Sequence, residues 1–173
     1  MQSKAKNIAL LAMLVAMASV VHYLEGLLPP IIPAIPGAKL GLANIFTLFA
    51  LVRLGYASGF IVLIARCLVA TLLGGSSTGL FYALGGGICS FFIMALLYRL
   101  GRKRLGLVGI SVAGAFFHNM GQLLVAAIFM GNVYVFSYFP LLALVSIPTG
   151  MATGAATHFL TKALDRAGVH PNG

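Results

Sequence analysis

The chain has 173 residues, of which 61% are apolar and 8% charged, and its mean hydropathy is +1.06. Soluble globular domains are about half apolar and about a quarter charged. The composition therefore excludes an ordinary soluble domain, a disordered tail and a disulfide scaffold, and leaves a polytopic membrane protein. At roughly 20 residues per spanning helix, the length holds at most about six or seven spans. The net charge is +9, from 11 Lys and Arg against 2 acidic residues. The bases stand at the ends of apolar runs, which reads as topology marking rather than nucleic-acid binding. Contact with anionic headgroups follows from the same placement.

In chain order, Lys4 and Lys6 precede an apolar run from Ile8. Ala16-Met17-Ala18 has the look of a signal-peptidase site, but the apolar character continues to Leu28, which predicts an uncleaved first span. Six apolar segments follow the pattern Ile8–Leu28, Leu40–Leu54, Ala57–Leu73, Gly79–Tyr98, Gly106–Met130 and Tyr138–Thr161. Between the first two, Pro29, Pro30, Pro33 and Pro36 forbid a continuous helix. The later breaks are expected at Arg53-Leu54-Gly55-Tyr56, Gly74-Gly75-Ser76-Ser77, Gly101-Arg102-Lys103-Arg104 and Gly131-Asn132. Segments two and three are short, so a hairpin of short helices competes with two full spans. The charges favour two spans. With the N-terminus inside, Lys4, Lys6, Arg53, Arg99, Arg102, Lys103, Arg104, Lys162 and Arg166 all fall inside, Lys39 falls outside and Arg66 lies within a span. That asymmetry predicts an all-α, six-helix membrane bundle, one domain over 1–173, with both termini inside.

Polar side chains within apolar spans are few. Arg66 sits mid-segment, where a charge by default marks an anion-binding or ion-pairing site; the structural alternative is a pair with Glu25 or with helix-end carbonyls. His118-Asn119-Met120-Gly121-Gln122 places His118 and Gln122 on one helix face with Asn119 beside them. Such a cluster either reads a polar ligand or joins helices. Lys39 stands near the expected N-terminus of segment two, where unpaired backbone N–H groups attract anions, and Asn44 follows one turn on; a bare helix start with a solvated lysine is the alternative. Cys67 and Cys89 lie in apolar segments without a Cys/His cluster, so neither a metal site nor a disulfide framework is indicated. Small residues recur at Ala12/Ala16 and Gly150/Gly154, a spacing that permits close helix contact. Ala9, Ala12 and Ala16 together make a flat face on which an external helix would dock.

Pro36-Gly37-x-Lys39-Leu40-Gly41-Leu42-Ala43-Asn44 and His118-Asn119-x-Gly121-Gln122 resemble the motifs of the Gx transporter family, also labelled heptaprenyl diphosphate synthase component I. The resemblance covers nearly the whole chain. That family is similar to the S components of energy-coupling factor (ECF) transporters. It implies a bacterial cytoplasmic-membrane protein whose outward pocket, capped by the segment after helix one, binds a small anionic or vitamin- or cofactor-like molecule. The pocket is expected in the outer half of the bundle, lined by the polar residues Lys39, Asn44, Arg66, His118, Asn119 and Gln122, with Lys39 and Arg66 favouring an anionic or electron-rich ligand. Ala12 and Ala16 would meet a coupling subunit driven by two ATPases. No particular cofactor is implied. Relatives beside flavin-based extracellular electron-transfer genes suggest a membrane subunit of a flavin- or quinone-linked system as an alternative. The synthase label suggests a non-catalytic accessory role in isoprenoid synthesis. Catalysis by the chain itself is not expected, because its acidic residues are Glu25 and Asp165 alone and no Asp-rich Mg²⁺ motif exists.

Overall fold

The computed structural model describes residues 2–28 and 41–166, with side chains from residue 7 onward apart from 102 and 103. Helix α1 (Gln2–Leu27) carries no proline and ends just before Pro29 and Pro30. The Pro-rich connection and Lys39 lie outside the described residues. The chain re-enters at Gly41, whose φ of 80° is open to glycine but strained for other residues. Helix α2 (Asn44–Leu54) then runs to Gly55, also at positive φ, and α3 (Tyr56–Leu72) returns to the Gly74-Gly75 turn.

Helix α4 (Ser77–Met130) starts at an N-cap in which Ser76 Oγ accepts from the Gly79 N–H at 2.9 Å. It ends at Gly131 in the left-handed region. Its 54 residues form two helical limbs, because Gly106 takes non-helical angles (φ 61°, ψ 177°). The break is therefore five residues later than the Gly101 expected from sequence. Arg102, Lys103 and Arg104 are good helix formers and continue the first limb. A short 3₁₀ helix (Val133–Tyr138) leads into α5 (Phe139–Arg166).

All six apolar segments thus appear as helical stretches. Four are long and apolar enough to cross a bilayer: Asn7–Leu27, Ser77–Gly101, Arg104–Met130 and Val133–Arg166. The other two, α2 and α3, are shorter at 11 and 17 residues. At 1.5 Å per residue they extend about 16 and 25 Å, against a hydrocarbon core of about 30 Å. Large apolar side chains such as Met13, Met17, Leu24, Phe92, Leu124, Ile128 and Phe159 are exposed, as a lipid-facing surface requires.

Three buried clusters hold the helices together. Leu14, Ala18, Phe46, Phe49, Ala50 and Val62 join α1, α2 and α3. Leu63, Cys67, Ala83, Phe91, Met94 and Ile110 join α3 to both limbs of α4. Tyr82, Leu123, Ala126, Val135 and Leu142 close the far side. Glycines bring backbones into contact at two crossings. A Cβ on Gly121 would lie 2.5 Å from the Gly85 carbonyl oxygen, which seats the second limb of α4 on the first. Cβ atoms on Gly150 and Gly154 would collide with Val112 and Val108, so the Gly150/Gly154 pair packs α5 on the second limb. Beside it, the Ser111 and Thr153 hydroxyls bond at 2.6 Å.

One end of the bundle is basic. Arg53, in the last turn of α2, pairs with Asp165, in the last turn of α5. Tyr98 Oη donates to the Val52 carbonyl and brings the neighbouring Arg99 to the same end. The Gly74-Gly75 turn, at the other end of α3, belongs to the opposite end of the bundle.

Candidate functional site

Arg66 is the eleventh residue of α3 and is 1% exposed. Its guanidinium spans two neighbouring helices. Nη2 donates to Asn44 Oδ1 on α2 at 2.9 Å, and Nη1 donates to His22 Nδ1 on α1 at 3.2 Å. An arginine has no acceptor, so His22 receives this bond on Nδ1 and carries its proton on Nε2. Beside Arg66, a Cβ on Gly87 would stand 2.4 Å from Leu63 Cδ1, so this glycine lets α3 and the first limb of α4 approach closely.

Glu25 takes a different place from the Arg66 partner considered from sequence. Its two carboxylate oxygens accept from the Leu42 N–H at 2.7 Å and the Ala43 N–H at 3.3 Å. These are backbone donors just before α2, and Glu25 supplies the acceptors that the helix start lacks within itself. The donors that were expected to attract an external anion are thus occupied by a carboxylate of the chain. They also displace the start of α2 from the Leu40 expected from sequence to Asn44.

His118 and Gln122 share a face of the second limb of α4, as their spacing predicts, and His118 Nε2 lies 3.1 Å from Gln122 Nε2. The amide nitrogen can only donate, so His118 Nε2 accepts. The His118 ring sits between two glycines. Cβ atoms on Gly41 and Gly86 would approach it to 3.2 and 3.0 Å. Asn119 turns away: its Nδ2 donates to the Leu142 carbonyl at 2.9 Å, joining the second limb to α5.

His22, Glu25, Gly41, Arg66, Ala83, His118 and Gln122 line a cleft of about 10 Å³, the space needed by about one water. Three buried polar atoms of its walls, Arg66 Nε, His118 Nδ1 and Gln122 Oε1, have no hydrogen-bond partner. His22 also borders a larger cavity of about 320 Å³, walled by Tyr23, Gly26, Thr71, Gly74, Ser76 and Leu80 at the end opposite Arg53 and Asp165. Of the six pocket residues expected from sequence, Arg66, His118 and Gln122 meet at the cleft, and Asn44 reaches it through Arg66. Asn119 belongs to a helix contact, and Lys39 lies outside the described residues. Sequence reasoning missed His22 and the true partners of Glu25. Their signal was present: two polar side chains three apart near the end of an otherwise apolar helix. Among the described residues no group of three or more metal-ligating side chains occurs. Ala12 and Ala16 are exposed on α1.

Residues 14–160 match the model of the family described as heptaprenyl diphosphate synthase component I, and the chain belongs to that family. Neither a curated protein nor a solved structure matches it.

Proposed function

We propose that the chain is a membrane-embedded substrate-binding subunit, similar to an ECF S component, that captures a small molecule for uptake. The observation that carries this reading is the buried polar cleft of Arg66, His22, His118 and Gln122, placed beside a cavity of about 320 Å³. Ligand sites have volumes of about 300–1,000 Å³ and hold a few convergent polar groups in an apolar setting. Buried polar groups within spanning helices by default mark a substrate path. The basic end with Arg53, Arg99, Lys162 and Arg166 is the cytoplasmic one by the positive-inside rule, and the cavity then opens outward from a bacterial cytoplasmic membrane. Both termini lie inside.

The chain is not an enzyme in this reading. Its two acidic residues are engaged structurally, Glu25 with backbone N–H groups and Asp165 with Arg53. Neither is poised to hold Mg²⁺ and a diphosphate. The family's description favours a second reading, an accessory membrane partner of a soluble prenyl diphosphate synthase.

The exposed Ala12/Ala16 face is the docking site for a coupling subunit driven by ATPases. Native purification from the host membrane tests this. ATPase and coupling subunits are expected to co-purify with the wild-type chain and to be lost from the Ala12→Leu/Ala16→Leu variant, with its melting temperature unchanged. A prenyl synthase in their place establishes the second reading, and undiminished co-purification with the variant removes the docking face.

A further inference from the structure

We infer that the ligand group received by the cleft is uncharged and presents an N–H donor beside a carbonyl acceptor, as an amide, lactam or imide edge does. This deepens the substrate-binding reading above and rests on it. The argument starts from charge. Arg66 and Glu25 are 1% and 6% exposed and line the same cleft. Both oxygens of Glu25 accept hydrogen bonds, as in a carboxylate, so the guanidinium already has a compensating charge within the cleft. An incoming carboxylate or phosphate would leave the cleft with an excess negative charge beside Glu25, away from bulk water, where like charges repel strongly. The sequence alone, with Lys39 and Arg66 as the conspicuous residues, favours an anion. The position of Glu25 reverses that preference.

The second part is the set of three polar atoms without partners, on Gln122, Arg66 and His118. Gln122 is 1% exposed; its amide nitrogen donates to His118, and its Oε1 has no partner. An unsatisfied buried acceptor needs a donor, and a carboxylate or phosphate dianion brings only lone pairs. Arg66 uses Nη1 and Nη2 on His22 and Asn44, and its Nε has no partner. That N–H needs an acceptor. His118 accepts on Nε2, so its proton is on Nδ1, a further buried donor without a partner. Lone donors and a lone acceptor on the same cleft are complementary to a ligand edge that presents both an acceptor and a donor. The cleft admits about one polar atom or one water, so the edge enters at its tip and the body of the ligand occupies the 320 Å³ cavity that shares His22.

The test uses the full chain in lipid nanodiscs and four fragment probes, followed by saturation-transfer NMR and competition. Benzamide and 2-pyridone carry the uncharged donor–acceptor edge, and benzoate and phenyl phosphate carry charge in its place. The expected result is binding of the first two in preference to the second two, by at least about tenfold, the usual scale for an unmet buried hydrogen bond. Gln122→Leu should abolish that preference. Glu25→Gln, which removes the negative charge but keeps an acceptor, should narrow the preference against benzoate, and it provides a readout if Gln122→Leu does not fold. Preferential binding of the anions, an amide preference untouched by both substitutions, or binding of none of the four probes at millimolar concentration overturns the inference. Those outcomes leave the co-purification result standing, so failure of the ligand class is distinguishable from failure of the uptake role.

Discussion

Arg53 and Arg66 lie one helix apart, and each meets the chain's few polar groups in a different way. Arg53 faces Asp165 at the basic end of the bundle, with the two side chains 14% and 45% exposed. Water and salt reach that pair, and pairs of this kind contribute about 0–1 kcal/mol. Arg66 is buried at mid-helix and shares its bonds between a histidine and an asparagine, while the nearest carboxylate binds backbone instead. The same side chain serves as a surface tie in one place and as the hub of three helices in the other. The difference lies in the partners: the partly exposed Arg53 meets a carboxylate, whereas the buried Arg66 takes neutral acceptors from two other helices.

The largest effect is expected at the hub. Arg66→Ala strips donors from His22 and Asn44 and leaves the Glu25 charge without compensation, and removing one partner from such a buried arrangement costs about 3–5 kcal/mol. Thermal unfolding in detergent should show a large fall. Adding Glu25→Gln should restore only the part due to that charge, less than half, because the bonds to His22 and Asn44 stay lost. Recovery of more than half would mean a direct Arg66–Glu25 pair and would dissolve the contrast with Arg53. Next comes Glu25→Ala, which leaves the Leu42 and Ala43 N–H groups unmet and should cost about 1–2 kcal/mol by analogy with loss of a helix cap. Hydrogen exchange at those two amides should accelerate, and unchanged protection would show that the carboxylate is not their acceptor. The smallest effect belongs to the basic end. Arg53→Ala should cost at most about 1 kcal/mol, and the difference should fade at high salt. A salt-independent loss comparable to that of Arg66→Ala would place both arginines in the same class.

Much of this arrangement can be read in the residues. The six apolar runs reappear as helical stretches because a spanning backbone must satisfy its own hydrogen bonds, and helices do so locally. His118 and Gln122 meet because a four-residue spacing fixes their common face. Gly150 and Gly154 pack against a helix for the same periodic reason. What sequence could not supply was partnership across helices. Arg66 and Glu25 are the obvious opposite charges in the apolar part of the chain, yet the carboxylate reaches the start of α2, seventeen residues on, and the guanidinium turns to His22 and Asn44. Asn119 adjoins His118 in sequence but points about 100° away around the helix, so it meets α5. The end of the first limb of α4 was misplaced because a run of basic residues looks like a loop, while only Gly106 adopts the angles that stop the helix.

The hydrogen bonds from Leu42 and Ala43 to Glu25 fasten the beginning and the end of the intervening chain at one point. The tie therefore holds α1 to the start of α2 independently of the chain between them. The closure entropy of that chain grows only with the logarithm of its length, so doubling the number of residues costs about 0.6 kcal/mol. A change in the length of the connection between α1 and α2 therefore costs little, while the Glu25 tie keeps the two helices in register.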